Sequence, residues 1–324
     1  VGARASADPH RPGRMTAPDP AAFATRRSEV RDGLSLAYVR EGVGGYPLVL
    51  LHGYPETKRI WWRNIAPLAA AGYEVIVPDL RGHGESDVDP GDRYDIVTYS
   101  RDVEVLVRDV LGHERFGVVA GDVGAVVAYD LALRVPGLVE GLCWFNTAPP
   151  FLIEEYQAAG IELTAFADVD ARPETDYQYR QGQDPDALAA ELDTVERRRR
   201  YIADFYGHRL WGTRGSFTQE DVAFMTEPWS EEARLRAGWA VYQLARGTRT
   251  SEEVPRLFET MPVPTLLLYG PEDQVVPEQF MACCEVAFTN RVGPLVVPRA
   301  GHFLQWERAD VLNGLVAGWF SQFR

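Results

Sequence analysis

The chain has 324 residues, of which 46% are hydrophobic, and its formal net charge is −14. This length fits one large α/β domain with an inserted subdomain, and the apolar fraction is enough for a full core. The strong negative charge argues against binding to nucleic acid or a membrane surface, and no apolar run approaches the roughly 18 residues that a membrane span requires.

Residues 1–22 are rich in Ala, Pro, Gly and Arg and contain no apolar segment of the kind found in a secretory signal. We expect them to be a disordered N-terminal segment or an added sequence ahead of Met15. Cys143, Cys283 and Cys284 are the only cysteines, and the last two are adjacent. An odd number so placed predicts no disulfide framework and, by default, a cytoplasmic protein. The chain has no Cys-x-x-Cys pair and no histidine cluster near these cysteines, so we expect them to be small buried hydrophobic residues and expect no metal site. No cofactor is expected either.

Strands and helices alternate in the first part of the chain. The hydrophobic pattern predicts a hairpin over 29–40, then strands over 47–51, 73–78, 116–120 and 142–146, with helices over 60–71, 98–111 and 125–134. The alternation stops near residue 149 and resumes with strands over 265–269 and 295–297 and helices over 277–288 and 305–320.

These strands are apolar on both faces, which predicts a mostly parallel central sheet with helices on both faces, an α/β fold. Residues 150–250 are helix-like and aromatic-rich, with no good strand. We therefore expect a core formed by residues 23–149 and 251–324, with residues 150–250 inserted as a helical lid.

The sequence Ala-Gly-Asp-Val-Gly at 120–124 joins a buried strand to a helix. A tight turn of this kind needs small residues two before and two after its central residue, because the strand and helix backbones nearly touch. Ala120 and Gly124 hold these positions around Asp122. No Gly-x-Ser-x-Gly occurs in the chain, so Asp122 is the predicted nucleophile. The alternative is that Asp122 merely caps the helix.

Three further features support a catalytic Asp122. The loop His-Gly-Tyr-Pro at 52–55 ends an early strand, so the backbone N–H groups of Tyr54 and Val123 are the predicted oxyanion hole. Asp273 and His302 each follow a later strand. The order nucleophile, acid, histidine is that of an α/β-hydrolase triad, and Glu272 is the weaker candidate for the acid.

These residue types indicate a two-step displacement. A carboxylate is ionised at neutral pH, and Asp122 can attack an sp³ carbon to form an alkyl-enzyme ester. His302 would then act as the base on a water molecule that hydrolyses this ester. Asp273 would orient His302 and stabilise its cation.

From about residue 26 to its end the chain resembles the aspartate-nucleophile α/β-hydrolases, and most closely the soluble epoxide hydrolases. The matching segments are HGYPE at 52–56, DLRGHGESD at 79–87, AGDVG at 120–124, YGPED at 269–273 and AGHFLQWE at 300–307. The resemblance implies an α/β-hydrolase fold and an enzyme that converts an apolar or aryl epoxide and water into a vicinal diol, with a homodimer possible.

Epoxide hydrolases resemble one another in using two lid tyrosines to protonate the epoxide oxygen. The first lies in an Asp-Tyr-Gln context, which implies Tyr177, and the second in a Trp-Tyr stretch, for which Tyr242 is the nearest match. Packing of the lid is the alternative role for each tyrosine. The rival donors are Tyr179, Tyr201, Tyr206 and His208. Further substrate contacts are expected from His52, Pro55, Gln178, Trp239 and Phe303.

Haloalkane and haloacid dehalogenases are the main alternative. Haloalkane dehalogenases are similar to one another in having Trp directly after the nucleophile, where this chain has Val123. Fluoroacetate dehalogenases place arginines in the stretch after the nucleophile, where this chain has Val123 and Val126. Many epoxide hydrolases also carry Trp after the aspartate and often His before it, so Gly121 and Val123 depart from that family too. A small-molecule receptor of the same fold is a second alternative.

Overall fold

The computed structural model describes residues 17–162, 176–207, 213–276 and 279–324. Within these ranges eight strands form one sheet. The strands are β1 (Thr25–Arg31), β2 (Leu34–Glu41), β3 (Tyr46–Leu51), β4 (Tyr73–Pro78), β5 (Phe116–Gly121), β6 (Val139–Phe145), β7 (Thr265–Tyr269) and β8 (Arg291–Val296).

The strand order is β1-β2-β4-β3-β5-β6-β7-β8. The β1–β2 and β2–β4 pairs are antiparallel, and the other five are parallel. The fold class predicted from the sequence is therefore confirmed. β8 is longer than the predicted strand over 295–297, because it is an edge strand whose exposed residues lack the pattern of a buried strand.

The α-helices in the described residues are α1 (Ile65–Ala70), α2 (Ile96–Glu104), α3 (Asp122–Arg134), α4 (Ile153–Ala158), α5 (Asp176–Gln183), α6 (Pro185–Glu191), α7 (Val195–Gly207), α8 (Gln219–Thr226), α9 (Glu232–Ala245), α10 (Gln279–Ala287), α11 (Leu304–Glu307) and α12 (Ala309–Phe320). Shorter 3₁₀ helices lie at Pro20–Ala22, Lys58–Trp61, Glu227–Ser230 and Ser321–Phe323, and Val105–Val110 is a π-helix.

Two predicted helices are interrupted in the structure. The predicted helix over 60–71 is wrong at its start, because a 3₁₀ turn ends at Trp61 and α1 begins only at Ile65. Pro67 explains the break, since it fits the first turn of a helix but has no N–H to continue one begun at residue 60. The predicted helix over 305–320 divides at Arg308, where the backbone leaves the helical region.

Two hydrophobic clusters cover the two faces of the sheet. In β5, Val118 and Ala120 point into one cluster and Val119 into the other, as alternating strand residues must. Side chains of α2, α3 and α10 pack into the first cluster, and side chains of α1 and α12 pack into the second. The three cysteines are free and buried.

Among the described residues between 150 and 250, the regular elements are all helical, namely α4 to α9 and one 3₁₀ turn. Side chains from α5 to α9 enter the second cluster, above the ends of the central strands. This packing places the lid over the carboxyl ends of β3 and β5, where the elbow at Asp122 lies. No helix in the described part of the chain is long and apolar enough to cross a membrane.

Candidate active site

Asp122 lies at the turn between β5 and α3 in a strained conformation. Its φ is +48°, a left-handed value that few residues other than glycine adopt. The turn is held on both sides, because the Asp122 N–H donates to the Asn146 carbonyl at 3.2 Å and the Thr147 hydroxyl donates to the Asp122 carbonyl at 2.7 Å. A Cβ at Gly124 would lie 2.6 Å from the carbonyl oxygens of Leu51 and His52. Only glycine lets α3 approach β3 this closely.

The loop after β3 brings one backbone donor to the Asp122 carboxylate. The Tyr54 N–H donates to Asp122 Oδ1 at 2.7 Å. A Cβ at Gly53 would overlap the Asp122 side chain, so glycine is required there as well. Val123 follows in the first turn of α3, where backbone N–H groups have no partner within the helix. This geometry is compatible with the predicted oxyanion hole.

His302 lies between two carboxylates. Its Nδ1 donates to Asp273 Oδ2 at 2.9 Å, and its Nε2 is 3.4 Å from Asp122 Oδ2. The other oxygen of Asp273 accepts the N–H groups of Val275 and Val276 at 2.7 and 3.1 Å. The Asp122 side chain is 17% exposed, whereas His302 and Asp273 are almost completely buried. Of the three, Asp122 is the one a small molecule can reach.

Two lid tyrosines face Asp122. Tyr177 on α5 and Tyr242 on α9 hydrogen-bond to each other through their hydroxyls, and their ring centroids are 5.3 Å apart. The ring of Tyr54 packs against both, at 6.4 Å from Tyr177 and 5.4 Å from Tyr242. Burial, together with the charge of Asp122, raises the pKa of both phenols. Both are therefore protonated at neutral pH, as a proton donor must be.

The family described as the alpha/beta hydrolase fold matches residues 46–309. The chain belongs to this family. The match covers both parts of the core and therefore includes Asp122, Asp273 and His302. The strand order and the elbow described above agree with this membership.

Several relatives of this α/β-hydrolase align over most of its length. The soluble epoxide hydrolase of Corynebacterium sp. strain C12 is 29% identical over 93% of this chain and 98% of its own. The non-heme chloroperoxidase of Streptomyces lividans is 28% identical over 76% of this chain and 81% of its own. Among solved structures, the ligand-free epoxide hydrolase CorEH superposes with a TM-score of 0.78 at 25% identity, covering 93% of this chain and all of that one.

Glu56 is a site residue that the sequence analysis overlooked. It is the last residue of the HGYPE segment, and it is buried between the loop that carries Tyr54 and the segment after His302. Its Oε2 accepts the Gly53 N–H at 2.6 Å, and its Oε1 accepts from Gln305 Nε2 at 2.7 Å. Burial raises the pKa of Glu56 to about 7, against the opposing effect of these hydrogen bonds. In this hydrolase Glu56 ties the loop that carries Tyr54 to the segment after His302.

The rival proton donors are placed less favourably than Tyr177 and Tyr242. Tyr179 is 48% exposed. The Tyr206 hydroxyl donates to the carbonyl of Pro55 at 2.8 Å, and the Tyr201 hydroxyl accepts from Gln181 at 2.8 Å. His208 lies outside the described residues.

Two of the residues expected to contact the substrate already bond to other groups of the protein. His52 is fully buried and uses both ring nitrogens, since Nδ1 donates to the Gly53 carbonyl and Nε2 accepts the Leu80 N–H, both at 2.9 Å. Trp239 is also fully buried, and its indole N–H donates to the Tyr54 hydroxyl at 3.3 Å. Both residues therefore support the loop that carries Tyr54.

The substrate contacts expected of all five residues stay predictions, and the other three residues also have contacts within the protein. Gln178 is half-buried and donates to the Tyr177 hydroxyl at 3.2 Å. The Pro55 carbonyl accepts from Tyr206, and Phe303 stacks on the Tyr206 ring at 4.8 Å. Among the described residues no group of three His, Cys, Asp or Glu side chains could hold a metal ion.

The charges of Asp273 and Asp122 both act on the pKa of His302. Burial lowers the pKa of His302, but Asp273 and Asp122 outweigh this effect and hold the pKa well above its ordinary value. Replacing the Asp122 carboxylate by a neutral group removes one of these two charges and should therefore lower the His302 pKa.

We therefore expect Asp122→Asn to lower the pKa of His302 relative to the wild type. An NMR titration of the imidazole resonances measures this change directly. Asp130→Asn removes a buried carboxylate from the same helix, where Asp130 bonds to Arg134, and should leave the His302 pKa unchanged. Equal pKa values in the wild type and Asp122→Asn would contradict this account of His302.

Proposed function

We propose that this α/β-hydrolase is an epoxide hydrolase that converts an apolar or aryl epoxide into a vicinal diol. The observation that carries the proposal is the position of the accessible Asp122 carboxylate beneath two buried phenols, with His302 3.4 Å away. A carboxylate nucleophile and neutral O–H donors together suit the opening of a strained ether. The relatives named as epoxide hydrolases support the same chemistry.

In the first step, Asp122 Oδ2 attacks a ring carbon of the epoxide and the carbon–oxygen bond of the ring breaks. Oδ1, which accepts the Tyr54 N–H, becomes the ester carbonyl. Tyr177 or Tyr242 transfers its proton to the leaving oxygen, so a strongly basic alkoxide is never released. The products are an alkyl-enzyme ester with a free hydroxyl and one phenolate in the lid.

In the second step, His302 takes a proton from water and the resulting hydroxide adds to the ester carbon of Asp122. The negative charge develops on Oδ1, where the N–H groups of Tyr54 and Val123 stabilise it. Collapse of this intermediate expels the diol oxygen, which receives the proton from His302. The proton left on the Asp122 carboxyl returns to the phenolate, and the enzyme is restored.

A substrate panel tests this proposal against its alternatives. We expect the enzyme to convert styrene oxide to its diol, and to release halide from 1-bromobutane or bromoacetate far more slowly. Val123 has no side-chain N–H to bind a leaving halide, which is the physical reason for this ranking. Bromide release as fast as the best epoxide turnover would favour a dehalogenase, and binding of styrene oxide without turnover would favour a receptor.

Removing either lid phenol should slow the opening of the epoxide. Tyr177→Phe and Tyr242→Phe are each expected to lower the rate of ester formation on the order of 10²-fold, the effect of losing one general acid. Stopped-flow or rapid-quench single turnovers measure this rate. Tyr179→Phe, on the exposed side of α5, serves as the matched control. Wild-type rates in both Tyr177→Phe and Tyr242→Phe would contradict the assignment of the donors.

A further inference from the structure

We infer that Asn146 is a positioning residue that fixes the nucleophile, acid and histidine loops relative to one another. This inference rests on the proposed function. Asn146 directly follows β6 and is completely buried. Its backbone carbonyl accepts the Asp122 N–H at 3.2 Å, so its main chain holds the first of the three loops.

The side chain of Asn146 reaches the other two loops. Its Oδ1 accepts the N–H of Gly270 at 2.9 Å, and its Nδ2 donates to the carbonyl of Gly301 at 2.6 Å. Gly270 opens the turn that presents Asp273, whose own N–H donates to the Gly270 carbonyl at 3.1 Å. Gly301 immediately precedes His302. One residue therefore bonds to all three segments that carry the predicted triad.

Asparagine suits this position for two physical reasons. A primary amide offers an acceptor and a donor in one plane, whereas a carboxylate has no donor for the Gly301 carbonyl and an aliphatic side chain has neither. The φ of Asn146 is +41°, a left-handed value that asparagine tolerates better than most residues. The three loops also meet without spare room, since a Cβ at Gly270 would lie 2.6 Å from the Gly301 carbonyl oxygen.

The two chemical steps depend on this arrangement unequally. Ester formation needs Asp122 and a lid phenol, neither of which is held by the Asn146 side chain. Ester hydrolysis needs the His302 imidazole at a fixed distance from the ester carbon of Asp122. Loss of the Asn146 amide should therefore slow hydrolysis more than alkylation, and the ratio of the two rate constants should fall.

The test is a rapid-quench single turnover with styrene oxide, in which intact-protein mass spectrometry follows the ester. Asn146→Gly keeps the left-handed backbone at no steric cost and removes only the side chain. We expect its ratio of hydrolysis to alkylation to fall by up to about 100-fold, the effect of a misplacement near 1 Å. The ester then accumulates. Asn146→Asp keeps the side-chain shape and should lower the ratio too, because it cannot donate to Gly301.

Asn64→Gly is the matched control, because Asn64 is an equally buried asparagine whose side chain donates to Asn313. It should lower thermal stability without changing the ratio. An unchanged ratio in both Asn146 variants, or an equal fall in Asn64→Gly, would overturn the inference. A wild-type enzyme that forms neither ester nor diol would instead refute the proposed function, so the two failures are distinguishable.

Discussion

Asp122→Asn is expected to reduce epoxide turnover by about 10⁴-fold or more while the protein stays folded, because the loss of a nucleophile removes the covalent route. An amide oxygen is a poor nucleophile towards an sp³ carbon, and the neutral side chain still fits over Gly53. The Tyr54 N–H can still donate to the amide oxygen, as it now does to Asp122 Oδ1. The effect should therefore fall on the rate of ester formation and not on the fold.

The measurement is diol formation from styrene oxide, together with the melting temperature of each variant. Asp130→Asn is again the matched control, since it removes a buried carboxylate from α3. It should lower the melting temperature and retain activity. Mass spectrometry must show that the Asp122→Asn protein is free of deamidated chain. Substantial turnover by such a preparation would contradict the nucleophile assignment.

The fold could be predicted from the sequence because its signals are local. β5 is buried on both faces and reads as a continuous apolar run, and the small residues Ala120 and Gly124 around Asp122 mark a tight strand–helix turn. The family match over residues 46–309 confirms the fold. The prediction failed over 60–71, where the apolar spacing suggests one helix but Pro67 confines α1 to the residues after Asn64.

The supporting residues of the site could not be predicted, because their partners are distant in the sequence. Asn146 bonds to residues 124 and 155 positions away, and Glu56 bonds to Gln305 across 249 positions. No local pattern encodes such pairs. The bonds of His52 could not be predicted either, since its position in a conspicuous loop suggested substrate contact, whereas both of its nitrogens bond to backbone.

The proposed second step can be isolated by removing its predicted base. His302→Gln should form the ester and then stall, because glutamine cannot accept a proton from water. We expect hydrolysis to slow by on the order of 10²–10⁴-fold, the contribution typical of a general base. The accumulating species should equal the mass of the enzyme plus one epoxide. His113→Gln is the control, because His113 bonds to Glu74 and to no residue of the site; it should form no lasting adduct.

The source of the oxygen in the diol tests the covalent mechanism itself. If Asp122 Oδ2 attacks carbon, the bond formed runs from that oxygen to the substrate, and water later attacks the ester carbon. The diol then leaves with a carboxylate oxygen, and the solvent oxygen stays on Asp122. A single turnover with enzyme in excess, in water enriched in the heavy oxygen isotope, should label the peptide that contains Asp122 and leave the diol almost unlabelled.

Direct attack of water on the epoxide, with Asp122 as general base, places the label in the diol instead and gives no adduct in His302→Gln. That result would leave the fold and the triad geometry intact and would make Asp122 a base rather than a nucleophile.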